Sequence, residues 1–155
     1  MQNTIACSGS SGATSRTFDI GDSTATTTEV NITAPMGVIS VNSTNQDGRN
    51  TTLVKAGEGT LQISAANNFP MWQVVAGTLR VNHVQALGTD RTISVGVSGG
   101  TGSQNLVSVQ GGVLDLNGFS PALGGVNDGG STAGTIRNNG ATASTLTVGI
   151  SSTNS

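Results

Sequence analysis

The sequence predicts an all-β parallel solenoid, and three observations carry that prediction. A short phrase recurs: a small residue, Thr or Val, then apolar, polar, apolar. It reads Gly59-Thr60-Leu61-Gln62-Ile63, Gly77-Thr78-Leu79-Arg80-Val81, Gly112-Val113-Leu114-Asp115-Leu116 and Ser144-Thr145-Leu146-Thr147-Val148. A phrase repeated at intervals of about 20 residues is the mark of stacked coils, each too small to bury its own inner face. The composition agrees: 9% charged and 3% aromatic residues with 23 glycines leave Val, Ile and Thr for short strands and Gly, Asn and Asp for turns. The third observation is the period-two alternation inside each phrase, which puts Leu61, Ile63, Leu79, Val81, Leu114, Leu116, Leu146 and Val148 on the inner face of their rungs. An antiparallel β-sandwich also has short strands at such spacing. It does not account for one phrase returning in one register.

The elements follow in order. Residues 1–12 are rich in Ser, Gly, Asn and Thr and are expected to stay unordered until something pairs with them. Residues 13–52 form upstream rungs: Thr17-Phe18-Asp19-Ile20, Glu29-Val30-Asn31-Ile32 and Val38-Ile39-Ser40-Val41 each place two apolar residues on one side. Residues 53–150 carry the phrase, and 151–155 are a tail. Leu79 lies 18 residues after Leu61, Leu114 35 after Leu79, and Ile136 22 after Leu114. The long interval leaves room for an intervening coil, with strands at Thr92-Ile93-Ser94-Val95 and Leu106-Val107-Ser108-Val109. A further variant of the phrase is Gly134-Thr135-Ile136-Arg137. Val84 to Gly88 reads as a corner or a single helical turn, because Gly88 stops it.

Length and charge exclude several function classes. At 155 residues the chain is one domain. A net charge of −2 without a basic stripe argues against nucleic-acid binding. No apolar run approaches a membrane span, and three aromatic percent cannot furnish a barrel girdle. Cys7 is the single cysteine, so there is no intrachain disulfide. Thr4-Ile5-Ala6-Cys7 has the ending of a lipoprotein signal but lacks the apolar stretch before it, which leaves a near-terminal free thiol.

The outward position of the phrase holds Gln62, Arg80, Asp115, Arg137 and Thr147, and Arg80 with Asp115 on a solvated face is the nearest approach to a carbohydrate-cleaving pair. The expectation there is a surface ion pair rather than an acid–base pair. His83 has only Ser94, Ser98 and Asp90 as imaginable triad partners, without a nucleophile elbow. Asp22, Asp47 and Asp128 sit beside Gly or Ser and read as turn chemistry, and no His/Cys cluster suggests a metal. The Gly96 to Gly102 stretch has no Lys-Ser/Thr after it, so it is not a phosphate loop. The reading is of a non-enzyme without cofactor.

The ordered residues resemble a known family, the autotransporter-associated β-strand repeat, also called the passenger-associated transport repeat. Its pattern K-x-G-x-G-T-L-x-L-S is matched by Lys55-Ala56-Gly57-Glu58-Gly59-Thr60-Leu61-Gln62-Ile63-Ser64. Ala66-Asn67, Ala76-Gly77-Thr78-Leu79-Arg80-Val81, Ala86-Leu87-Gly88 and Gly111-Gly112-Val113-Leu114-Asp115-Leu116-Asn117-Gly118 follow in the family's order, and the likeness runs from about Leu53 to Gly149. The resemblance implies a right-handed parallel β-helix in the exported part of a bacterial surface or secreted protein, acting as a stalk and export-folding unit. It carries no catalytic residue. It implies an extracellular or outer-membrane-attached location in a longer chain, with neighbouring repeats or end-to-end copies as partners. A self-associating filament or adhesin module, meeting a surface glycan or host protein, is one alternative, and a carbohydrate-active β-helix is another.

The sequence departs from the family pattern at Phe69-Pro70-Met71-Trp72-Gln73-Val74, where the family has a small polar corner. Two readings stay open: a bulky corner packed on a neighbour, or an exposed contact patch of Phe69, Met71 and Trp72, since Trp is enriched in binding hot spots.

Overall fold

The computed structural model describes residues 5–7, 14–38, 51–68, 71–88, 106–128 and 132–149. The described residues form 14 short strands and no helix: β1 (Ile5–Cys7), β2 (Thr14–Asp19), β3 (Val30–Ile32), β4 (Met36–Val38), β5 (Thr51–Ala56), β6 (Thr60–Ile63) and β7 (Met71–Val74), then β8 (Thr78–Val81), β9 (Leu106–Val109), β10 (Val113–Asp115), β11 (Ala122–Leu123), β12 (Gly125–Asn127), β13 (Thr135–Arg137) and β14 (Thr147–Val148). Every strand pairing is parallel.

Two five-stranded sheets dominate. One runs β2-β5-β7-β9-β12 and the other β3-β6-β8-β10-β13, so from β5 to β10 the chain alternates between them strand by strand. The register keeps like residues in columns. In the second sheet, Val30, Leu61, Leu79, Leu114 and Ile136 lie opposite one another. In the first, Leu53, Trp72, Val107 and Val126 do the same. A third row of backbone pairing joins β1 to β4, Gly37 to Asn68, and Asn67 N–H to the Gln85 carbonyl at 3.0 Å. β11 and β14 form a separate pair.

The inner residues of both sheets share one apolar cluster with Met36, Ala86, Leu87 and Leu123. Leu61, Ile63, Leu79, Val81, Leu114 and Leu116 are buried in it. Each fully buried Leu contributes roughly 1.5–3 kcal/mol of transfer free energy. Leu146 is only partly buried against the cluster, and Val148 is 48% exposed. The phrase at 144–148 is therefore not a fourth copy of the same rung. The column Leu61–Leu79–Leu114 continues to Ile136, whereas Val148 pairs with Leu123 elsewhere.

Other expectations are also corrected. Leu79 and Leu114 are direct register partners, so no coil lies between them in their sheet. Leu106–Val109 is a strand, but it belongs to the other sheet, against β7. Thr92–Val95 falls outside the described residues. Met71–Val74, read as a corner, is strand β7 with alternating burial. Of Val38–Val41 only Val38 is described, at the end of β4. Val84 to Gly88 is a turn closed by Ala86 N–H to the His83 carbonyl at 2.9 Å and Gly88 N–H to the Gln85 carbonyl at 3.2 Å. Ile5–Cys7 has found a partner in β4. The division between residues 52 and 53 falls inside β5.

The passage from the first sheet to the second takes three residues at each of three stacked corners: Gly57-Glu58-Gly59, Val75-Ala76-Gly77 and Gln110-Gly111-Gly112. Gly77 has φ +60°, and a Cβ there would lie 2.4 Å from the Gly57 carbonyl oxygen and 2.5 Å from that of Gly59. Gly77→Ala is accordingly expected to lower stability by about 2–4 kcal/mol. Gly37→Ala is the control, since its Cβ would meet nothing within 4 Å and its φ is ordinary; its effect stays within about 0.5 kcal/mol. Urea unfolding midpoints of the two variants make the comparison.

Candidate functional site

The contact-patch reading fails first at Trp72. Its side chain points inward from β7, is 1% exposed, and lies in register between Leu53 and Val107. A residue sealed in the apolar column cannot greet a partner. Its indole Nε1 has no hydrogen-bond partner among the described residues. Met71 sits on the other side of β7, half-buried, between Thr52 and Leu106, with the Thr52 hydroxyl 3.8 Å from its sulfur. Phe69 lies outside the described residues.

The outward column of the second sheet is Asn31, Gln62, Arg80, Asp115 and Arg137. The structure brings Arg80 and Asp115 together as neighbours: Arg80 Nε donates to Asp115 Oδ2 at 3.3 Å. Asp115 is not on a solvated face, because its side chain is 0% exposed. Its Oδ1 accepts the backbone N–H of Asn117 at 3.1 Å and of Asn139 at 3.0 Å. The carboxylate thus pins two successive corners with one atom and holds Arg80 with the other. On its far side Arg80 Nη1 donates to the Thr27 carbonyl at 3.3 Å and the Thr28 hydroxyl at 3.0 Å. Arg80 is a strut from the approach to β3 across to β10. A carboxylate committed to three donors is poorly placed for proton transfer or as a nucleophile.

Two features were missed in the sequence. The first is a polar file beside that column. Ser64 Oγ donates to Asn31 Oδ1 at 2.7 Å, Asn82 Nδ2 to Ser64 Oγ at 2.9 Å, and Asn117 Nδ2 to Asn82 Oδ1 at 3.3 Å. Its signal was present, since Ser64, Asn82 and Asn117 each follow the phrase directly. The second is Lys55, an inward residue of β5 with no exposed surface. Its Nζ donates to the carbonyls of Ala56 at 2.6 Å, Gly57 at 2.7 Å and Ala76 at 3.2 Å, under two of the three-residue corners. Period two puts it on the side of Leu53, but Val54 between them is apolar as well, so the local alternation does not decide which side faces inward; its place opposite Phe18 and Val74 does.

Burial pushes the Lys55 ammonium below its ordinary pKa of 10.5, against the pull of Asp19, Glu58 and Glu29. Glu29 is held below its ordinary carboxyl value, first because its side chain accepts the Thr60 N–H. His83 Nδ1 accepts the Gln85 N–H at 3.0 Å, which is turn chemistry. Ser94, Ser98 and Asp90 lie outside the described residues. Among the described residues no group of three or more His, Cys, Asp or Glu is placed to hold a metal ion, and no helix is long and apolar enough to cross a membrane.

No family model, no curated protein and no solved structure matches this chain.

Lys55→Met is expected to cost about 1–3 kcal/mol at neutral pH, because the corner carbonyls lose their donor. Between the lowered folded pKa and 10.5 the unfolded chain holds a proton that the folded chain has released, so wild-type stability rises with pH across that window. The variant lacks that rise. Unfolding midpoints measured from neutral to alkaline pH read both effects; a variant as stable as wild type would contradict the role given to the ammonium.

Proposed function

We propose that this chain is a right-handed parallel β-helix serving as a non-enzymatic structural module, a rigid stalk and export-folding unit of an autotransporter-like bacterial surface or secreted protein. The observation that carries this reading is the alternation of the chain between two all-parallel sheets in unbroken register, from β5 to β10. Each further strand of such a stack lands on the edge of the one before it. Order then propagates along one axis, which suits a segment that folds as it emerges. All-parallel pairing also favours a helix over a hairpin-linked sandwich.

The polar side chains support the structural reading. Arg80, Asp115, Lys55 and the Asn31–Ser64–Asn82–Asn117 file each join one strand or corner to the next. A carbohydrate-cleaving site would need carboxylates turned toward solvent, and Asp115 is turned away from it.

Hydrogen exchange followed by mass spectrometry tests the reading. The amides of β6, β7 and β8, each strand paired on both edges, are expected to be protected together. Exchange there as fast as in an unfolded chain would contradict the β-helix and the stalk together.

A further inference from the structure

The sequence holds two Asn-Gly pairs, and the fold lays one on the other. Asn117-Gly118 follows β10 and Asn139-Gly140 follows β13, and the register that sets Asp115 opposite Arg137 stacks the two corners. The packing is close: a Cβ at Gly140 would lie 2.2 Å from the Gly118 nitrogen. An Asn-Gly pair is open to attack of its own backbone on its side chain, because glycine has no Cβ to hinder its nitrogen. The two corners give that attack different settings. Asn117 is half-buried with a φ of 48°, and its amide is tied through Nδ2 to Asn82 Oδ1 at 3.3 Å. Asn138 Oδ1 accepts both glycine N–H groups, that of Gly118 at 2.7 Å and that of Gly140 at 3.1 Å. Asn139 is exposed. A guanidinium has only donors, so the Asn139 amide turns its oxygen to Arg137. That oxygen then accepts Arg137 Nε at 3.0 Å and Nη2 at 3.3 Å.

We propose that Asn139 is a self-modification site: Asn139-Gly140 closes to a succinimide and opens to aspartate or isoaspartate, with Arg137 stabilising the reacting carbonyl. The Gly140 nitrogen leaves its bond to Asn138 and adds to Cγ of Asn139. Negative charge gathers on Oδ1, where two guanidinium N–H groups already point. The Cγ–Nδ2 bond then breaks, and Nδ2 departs as ammonia with the proton that the Gly140 nitrogen has lost. Solvent water adds to one of the two ring carbonyls and splits that carbon from the Gly140 nitrogen. Cleavage at Cγ gives aspartate, whose carboxylate faces Arg137. Cleavage at the backbone carbonyl gives isoaspartate, in which the chain runs on through the side-chain carbons. No atom is oxidised or reduced, and the loss of ammonia to solvent makes the change one-way. Asp115 Oδ1, accepting the Asn139 N–H at 3.0 Å, holds the backbone on the near side of the reacting group. Isoaspartate lengthens the chain at a corner without spare room, since a Cβ at Gly140 would also lie 2.3 Å from the Asn117 carbonyl carbon. The corner after β13 is thereby loosened from the one it stacks on.

The test incubates the whole chain at mildly alkaline pH, folded and in urea. Peptide mass spectrometry follows the exchange of NH2 for OH at each Asn, with fragmentation that separates isoaspartate from aspartate. In the folded chain Asn139 is expected to convert severalfold faster than Asn117. In urea, where each site is an Asn-Gly pair and nothing more, the two rates converge. Arg137→Ala is expected to slow Asn139 about three- to tenfold in the folded chain, less than the loss of a buried oxyanion donor because this guanidinium is exposed. The Asn117 rate and both rates in urea stay as in wild type. Equal folded rates at the two sites, or an Asn139 rate unmoved by Arg137→Ala, would overturn the proposal. A variant in which Asn139 and Asn117 both speed up would overturn it too, since Arg137 would then only hold the corners shut.

Discussion

The structure depends on the closeness with which successive corners stack. Three corners of three residues each carry the chain from one sheet to the other, and at Gly77 the backbone passes so near the Gly57 and Gly59 carbonyls that a β-carbon has no place. Parallel strands about 4.8 Å apart leave room for little else. The constraint decides the register, because a corner of fixed length delivers each strand to the same height on its neighbour. From the register follow the columns of like residues. From the columns follow the apolar interior and the polar files outside it. Carbonyls crowded at such corners need donors, and Lys55 supplies three hydrogen bonds from within the core. A buried ammonium is costly unless it is fully hydrogen-bonded, and the corner is what makes the site worth filling.

Much of this was legible in the sequence. The phrase and its alternation identify six buried residues, Leu61, Ile63, Leu79, Val81, Leu114 and Leu116, and the all-β class. The part that was not legible has a common cause: a one-dimensional pattern does not say which sheet a strand joins. Leu106–Val109 reads as a rung like the others, yet it pairs with Met71–Val74 in the opposite sheet. The 35-residue interval before Leu114 suggests an extra coil, whereas the register closes it as a direct neighbour of Leu79. Thr147-Val148 matches the phrase but lies in a different pair of strands, and Val148 is exposed there.

The candidate site was less legible than the fold. Trp72 carries the chemistry of a contact residue, and its neighbours Pro70 and Met71 suggest an irregular corner. Alternation with Val74 decides otherwise: both point inward, and the indole becomes the largest side chain of the interior. Asp115 was placed correctly on the outer column but not correctly in water. The corners at Asn117 and Asn139 fold over it, which a reading of the strand alone does not reveal. In both cases burial is set by residues distant in sequence.

The central claim is in-register parallel stacking of five strands, and a distance between its first and last members tests it most directly. In a Cys7→Ser background, spin labels at Asn31→Cys and Arg137→Cys occupy one outer column, four strand spacings apart. Pulsed dipolar spectroscopy is expected to give a narrow distribution centred near about 19 Å, four steps of about 4.8 Å. A broad distribution, or one centred beyond about 30 Å, would contradict the register on which the account stands.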